Sequence, residues 1–162
     1  MRGFLFCDTV CLMEKIYKEN ELSEIASYIK KELVSFDLSG AVLMTFSGDL
    51  GAGKTTLIQE IARQFNIQDT VVSPTYMIMK KYEIPQGGKF ENLIHIDAYR
   101  IENEDELVNI GWDEYMANPK NLILIEWPER VVTHTKNPNL HITLTHHNDD
   151  SRKIAIVRYT DR

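Results

Sequence analysis

The stretch GDLGAGKTT, residues 48–56, decides how the chain is read. Gly48, Gly51 and Gly53 fall close together, and Lys54, Thr55 and Thr56 follow at once. Gly48-x-x-x-x-Gly53-Lys54-Thr55 fits the phosphate-binding loop pattern. Glycines let successive backbone N–H groups turn inward with no side chain in the way. Those donors, with the start of the following helix, form an anion cradle. In this pattern Asp49, Leu50, Gly51, Ala52 and Gly53 line a nucleotide, and Lys54 reaches the β and γ phosphates. The Thr55 hydroxyl holds Mg²⁺, and Thr56 touches the α phosphate.

The flanking sequence supplies the context the pattern needs. Residues 41–46, AVLMTF, are a short apolar run suited to a strand buried on both faces. After the loop, Leu57, Ile58, Ile61, Ala62 and Phe65 fall on one side of a helix. Upstream, Leu22, Ile25, Ala26, Ile29 and Leu33 predict another amphipathic helix over 21–33. Downstream, strands are expected over 76–84, 92–96 and 121–125. Asn103 and Glu106 form a capping-box pattern for a helix that Gly111 would stop. HITLT and RKIAIVRY, joined by HHNDDS, read as a hairpin. The sum is an α/β fold of the P-loop NTPase class: a largely parallel central sheet flanked by helices, with a C-terminal antiparallel hairpin.

A P-loop needs an acid at the end of a neighbouring strand. LIHID ends at Asp97 and LILIE ends at Glu126. Either would stand at the carboxyl edge of the sheet, where ligands of open α/β sheets bind. Glu126 follows the longer apolar run and is the better metal anchor, leaving Asp97 to position or deprotonate a water. Spacing alone leaves those roles interchangeable. SPTY, residues 73–76, offers Thr75 as a sensor of the γ phosphate, or an ordinary Ser-Pro turn. No N-K-x-D motif for guanine occurs, TKNP at 135–138 not being one, so ATP is the expected nucleotide.

The chain has 162 residues and a net charge of −6, with Lys and Arg scattered and an acidic run, ENEDE, at 102–106. Binding to a nucleic-acid backbone wants a basic stripe, so direct contact with RNA is not expected. No apolar run reaches the roughly 18 to 20 residues that cross a bilayer. The N-terminus lacks a signal-peptide pattern, and a cytoplasmic location is expected. Residues 1–12 are expected to form a disordered tail, with Met13 a candidate start and 13–162 a single P-loop NTPase domain. Cys7 and Cys11 read as incidental thiols of that tail. His134, His141, His146 and His147 lack the cysteine or acid spacing of a tetrahedral metal site.

With GDLGAGKTT, SPTY, HIDAYR (95–100) and IEWPER (125–130) in this order, the sequence resembles the TsaE family, also called YjeE, from about residue 15 onward. The resemblance implies a small P-loop ATPase that assists threonylcarbamoyladenosine formation in tRNAs reading codons that begin with A. It implies the TsaB–TsaD complex as partner, reset between turnovers, with tRNA met only indirectly. It implies Lys54 as the Walker lysine, Thr55 as Mg²⁺ ligand and Glu126 as the acid completing the metal site. Asp97 and Thr75 would couple the γ phosphate to hydrolysis. Trp127 matches the family's tryptophan, as a core or rim aromatic or in a direct role, and Arg152 stands where the family often carries an arginine near the nucleotide. Two rival functions share the fold. A small-molecule kinase would want an arginine-rich lid, whereas Arg130, Arg152 and Arg158 are dispersed. A nucleotide-dependent binding switch would need no hydrolysis. No arginine finger is evident near the loop, so slow turnover without partners is expected.

Overall fold

The computed structural model describes residues 9–37, 39–74, 76–85 and 88–159. Seven strands form one sheet in the order β1-β7-β6-β2-β5-β4-β3. β1 is Thr9–Tyr17, β2 Val42–Ser47, β3 Met79–Glu83, β4 Asn92–Asp97, β5 Asn121–Glu126, β6 Leu140–Asn148 and β7 Ser151–Tyr159. The middle four, β6-β2-β5-β4, are parallel, while β3, β7 and β1 join antiparallel at the two sides. The expected parallel sheet with a C-terminal hairpin is therefore present, and β3 and β1 extend it.

Alternation along the central strands sorts the core into two layers. Val42, Met44 and Phe46 of β2 and Leu122 and Leu124 of β5 face one side with Leu93 of β4. Leu43, Ile123, Ile125, Ile94 and Ile96 face the other. The first side is covered by α1 (Leu22–Ser35) and α2 (Lys54–Gln64). α1 buries the five residues its periodicity predicts, Leu22, Ile25, Ala26, Ile29 and Leu33. Lys30 Nζ donates to Gln64 O at 2.5 Å, placing a cation at the carbonyl end of α2. The second side carries the short helices α3 (Asp105–Asn109), α4 (Trp112–Ala117) and α5 (Val132–Thr135). Glu106 Oε1 accepts from the backbone N–H of Asn103, as the capping pattern predicts. Gly111, at φ 89°, joins α3 to α4.

Two expectations are corrected. Residues 9–12 do not belong to a tail: they open β1, which pairs with β7 from Thr9↔Tyr159 onward. The register shifts between Cys11 and Met13, and Leu12 and Met13 both pack on the core. That bulge breaks the period-two pattern by which a strand is recognised. Residues 1–8, including Cys7, lie outside the described residues, and Cys11 is exposed. β3 is also shorter than expected: Tyr76 and Met77 stand exposed in the turn before it.

Candidate functional site

β2, β4 and β5 run parallel, so Ser47, Asp97 and Glu126 end at one edge of the sheet. The loop 48–53 leaves β2 at that edge and runs into α2. Its glycines differ in purpose. A Cβ on Gly48 would come 2.1 Å from Leu144 O, so the loop's first turn lies directly on β6. A Cβ on Gly51 or Gly53 would meet nothing closer than 3.9 Å, yet both have positive φ, 77° and 100°. These two leave open space above a backbone that L side chains rarely adopt, which suits a loop shaped around a ligand. The first-turn N–H groups of α2 have no carbonyl within their helix, and the helix begins at this opening.

Lys54 is 5% exposed. Its Nζ donates to Gly48 O at 2.6 Å and Asp49 O at 3.0 Å. It also sits 3.9 Å from the centre of the Trp127 ring. Burial pushes the Lys54 ammonium below its usual range, opposed by the charges of Glu126, Glu129, Asp97 and Asp49. A desolvated cation inside the loop is well placed for an anion that brings charge with it.

Thr55 Oγ1 donates to Glu126 Oε1 at 2.8 Å. Glu126 and Asp97 are register partners on neighbouring strands. Asp97 Oδ2 accepts from Ser73 Oγ at 2.8 Å, and Oδ1 accepts from Tyr99 N at 3.0 Å. Trp127 adopts φ 60°, donates its backbone N–H to Phe46 O at 3.1 Å and meets the Tyr99 ring at a tilt, ring centres 5.2 Å apart. The chain turns sharply after Glu126, and the turn lays the indole under Lys54. Trp127 is thus a rim aromatic of the site. A hydroxyl beside a carboxylate is a hard-oxygen donor set of the kind Mg²⁺ takes, and Thr55 and Glu126 would hold the ion.

The opening has two lobes that meet at Gly51, Gly53 and Thr56. One, about 370 Å³, holds Lys54, Thr55, Asp97, Glu126 and Trp127. The other, about 320 Å³, lies between Tyr17, Leu22 and the β6–β7 turn, with Arg152 on its wall. Tyr17 and Arg152 are register partners on β1 and β7. Burial raises the Tyr17 phenol, with Arg152 opposing. Of the residues singled out by sequence, Asp49 to Thr56, Asp97, Glu126 and Trp127 converge on this edge, and Arg152 joins them across the second lobe. Thr75 lies outside the described residues. Sequence reasoning missed Ser73, Tyr99, His95 and Tyr17. HIDAYR contained two of these, and period-two alternation puts His95 on the Asp97 face.

The family model for "Threonylcarbamoyl adenosine biosynthesis protein TsaE" matches residues 16–154. The chain belongs to the TsaE family. Among relatives, TsaE of Bacillus subtilis is 36% identical over 134 residues, covering 83% of this chain and 80% of that protein. TsaE of Rickettsia typhi is 33% identical over 129 residues, covering 79% and 81%. Each carries the name tRNA threonylcarbamoyladenosine biosynthesis protein TsaE. Among solved structures, YdiB of Bacillus subtilis superimposes with a TM-score of 0.66 at 25% identity, over 94% of this chain and 87% of that one. The fold expected of a TsaE protein is the fold observed. Among the described residues no helix is long and apolar enough to cross a membrane.

Proposed function

We propose that this TsaE protein is a Mg²⁺-dependent ATPase that serves tRNA threonylcarbamoyladenosine formation by acting on the TsaB–TsaD complex as a turnover factor. The observation that carries the reading is the 2.8 Å contact between Thr55 Oγ1 and Glu126 Oε1, beside a buried Lys54 at the mouth of a glycine loop. A plain glycine turn would need neither the acid nor the ammonium.

In this reading the triphosphate lies along the loop amides and Lys54, and the nucleoside end enters the Tyr17–Arg152 lobe. A water attacks the γ phosphorus, the bond to the β-phosphate oxygen breaks, and the water's proton must leave. Asp97 orients that water and takes the proton. Ser73 and the Tyr99 N–H hold its two oxygens, fixing the carboxylate plane. Thr55 and Glu126 would hold Mg²⁺, which would supply positive charge to offset that of the triphosphate. Trp127 and Tyr99 screen one flank from water. A net charge of −6 fits a protein that acts on a partner and meets tRNA indirectly.

The test has two parts. Calorimetry should give heat when Mg·ATP or Mg·ADP is titrated into the folded chain, and a silent titration would sink the proposal. Phosphate release should be slow for the chain alone and faster with TsaB and TsaD. Equal rates in both settings would remove the partner from the reading, and a phosphorylated metabolite as product would turn it toward a kinase.

A further inference from the structure

β4 carries two polar side chains on its α2 face, His95 and Asp97. Of these, Asp97 is the proposed base for hydrolysis. His95 is fully buried, at 0% exposure. Its register partners are Leu124 on β5 and Lys80 on β3, and Leu93, Leu122 and Tyr82 share its face of the sheet. Nε2 lies 2.9 Å from Glu126 Oε1. Nδ1 has no hydrogen-bond partner among the described residues.

A buried polar atom left unmatched lowers stability. On packing grounds a leucine would serve this position at least as well as an imidazole. What the imidazole adds is one donor, aimed at the acid that completes the metal-binding pair. Glu126 is itself 3% exposed, so its carboxylate depends chiefly on protein donors. Thr55 approaches Oε1 from α2 and His95 approaches the same oxygen from β4. Two donors from two elements anchor Oε1, leaving Oε2 to meet what enters the lobe. The Thr55 hydroxyl has a second duty toward a metal, so it holds Glu126 less firmly than a donor with no other task.

We propose that His95 is a positioning residue: it donates to Glu126 Oε1 from inside the core and sets that carboxylate for Mg²⁺, touching neither metal nor nucleotide. The inference rests on the Mg·ATP reading of this cleft. Partners that orient a metal ligand in this way are typically worth about 10–100-fold in metal affinity.

The test is calorimetric titration of ADP at graded Mg²⁺ concentrations, with thermal unfolding alongside, for wild type, His95→Leu, His95→Gln and His95→Asn. His95→Leu should unfold within about 5 °C of wild type. It should bind ADP normally without Mg²⁺, and need about 10–100-fold more Mg²⁺ for half of the metal-dependent gain. His95→Gln, whose amide nitrogen reaches the place of Nε2, should recover most of that loss. His95→Asn, which falls short of it, should not. A folded His95→Leu protein with the wild-type Mg²⁺ midpoint overturns the inference. Should His95→Leu fail to fold, equal midpoints for the Gln and Asn variants overturn it. Wild-type protein that takes up no ADP at any Mg²⁺ concentration would overturn the nucleotide reading and this inference together, and the silent wild-type titration tells that case apart.

Discussion

Thr55 on α2 and Glu126 on β5 meet through a hydroxyl-to-carboxylate hydrogen bond of 2.8 Å, although 71 residues separate them in the chain. The contact joins the end of the glycine loop to the neighbouring strand. Thr55→Val keeps the shape and removes the donor. The Mg²⁺-dependent part of ATP affinity should fall by about 10–100-fold, and Thr55→Ser should retain it. Calorimetry with and without Mg²⁺ reads the difference. Equal losses in the two variants would count against a hydroxyl role.

Gly48 is held by packing. With φ 141° and a Cβ position 2.1 Å from Leu144 O, Gly48→Ala must push the loop off β6. A loss of at least about 1–3 kcal/mol in unfolding free energy is expected. Gly51→Ala has open space above it but keeps the strain of φ 77°, so it should cost less stability than Gly48→Ala while disturbing nucleotide binding. Denaturant unfolding of both variants checks the contrast.

Asp97→Asn preserves size and replaces the base. ATP and ADP affinities should stay within about threefold, while single-turnover hydrolysis in the presence of TsaB–TsaD should fall by about 10²–10⁴-fold. Ser73→Ala removes the donor to Oδ2 and should give a smaller loss of the same kind. An Asp97→Asn protein with wild-type turnover would exclude Asp97 as the base.

The second lobe predicts a split between ligands. Arg152→Ala and Tyr17→Ala alter the wall of that lobe, away from Lys54. ATP affinity should fall about tenfold in Arg152→Ala, with tripolyphosphate affinity unchanged. Competition binding decides, and parallel losses for both ligands would place Arg152 on the phosphates.

His141 supplies a pH dependence away from the cleft. Nδ1 lies 2.8 Å from Thr45 Oγ1 and Nε2 lies 3.3 Å from Thr143 Oγ1. Burial lowers its affinity for a proton, with Glu129 opposing. The unfolded chain therefore binds that proton first as pH falls below about 6.5. Stability from this group is present above that value and declines through the window down to the folded value. His141→Gln should flatten the fall in thermal midpoint between about pH 7.5 and 5.5. An unchanged slope would remove His141 as its source.

Much of this was legible in the sequence, for physical reasons. β2, β4 and β5 are buried on both faces, so each reads as a mainly apolar run ending in a polar residue, with Thr45 and His95 the polar side chains inside β2 and β4. α1 and α2 show their buried stripes plainly. β1 was hidden because its bulge spoils the alternation and its outer face carries Glu14 and Ile16. Tyr17 escaped notice because only the pairing of β1 with β7 brings it beside Arg152. His95 was in plain view within HIDAYR, but one sequence does not reveal which carboxylate a strand histidine meets.

The register between β4 and β5 makes Asp97 and Glu126 the last residues of adjacent parallel strands. Their gap is therefore a lattice constant of the backbone, about 4.8 Å between strands, not an outcome of side-chain choice. Volume-conserving exchanges among the apolar residues upstream leave that spacing in place. A single inserted residue between Asn92 and Asp97 would be different: it would rotate the acid through the sheet and leave it pointing at α3 and α4. Length, more than composition, is what those two strands cannot vary.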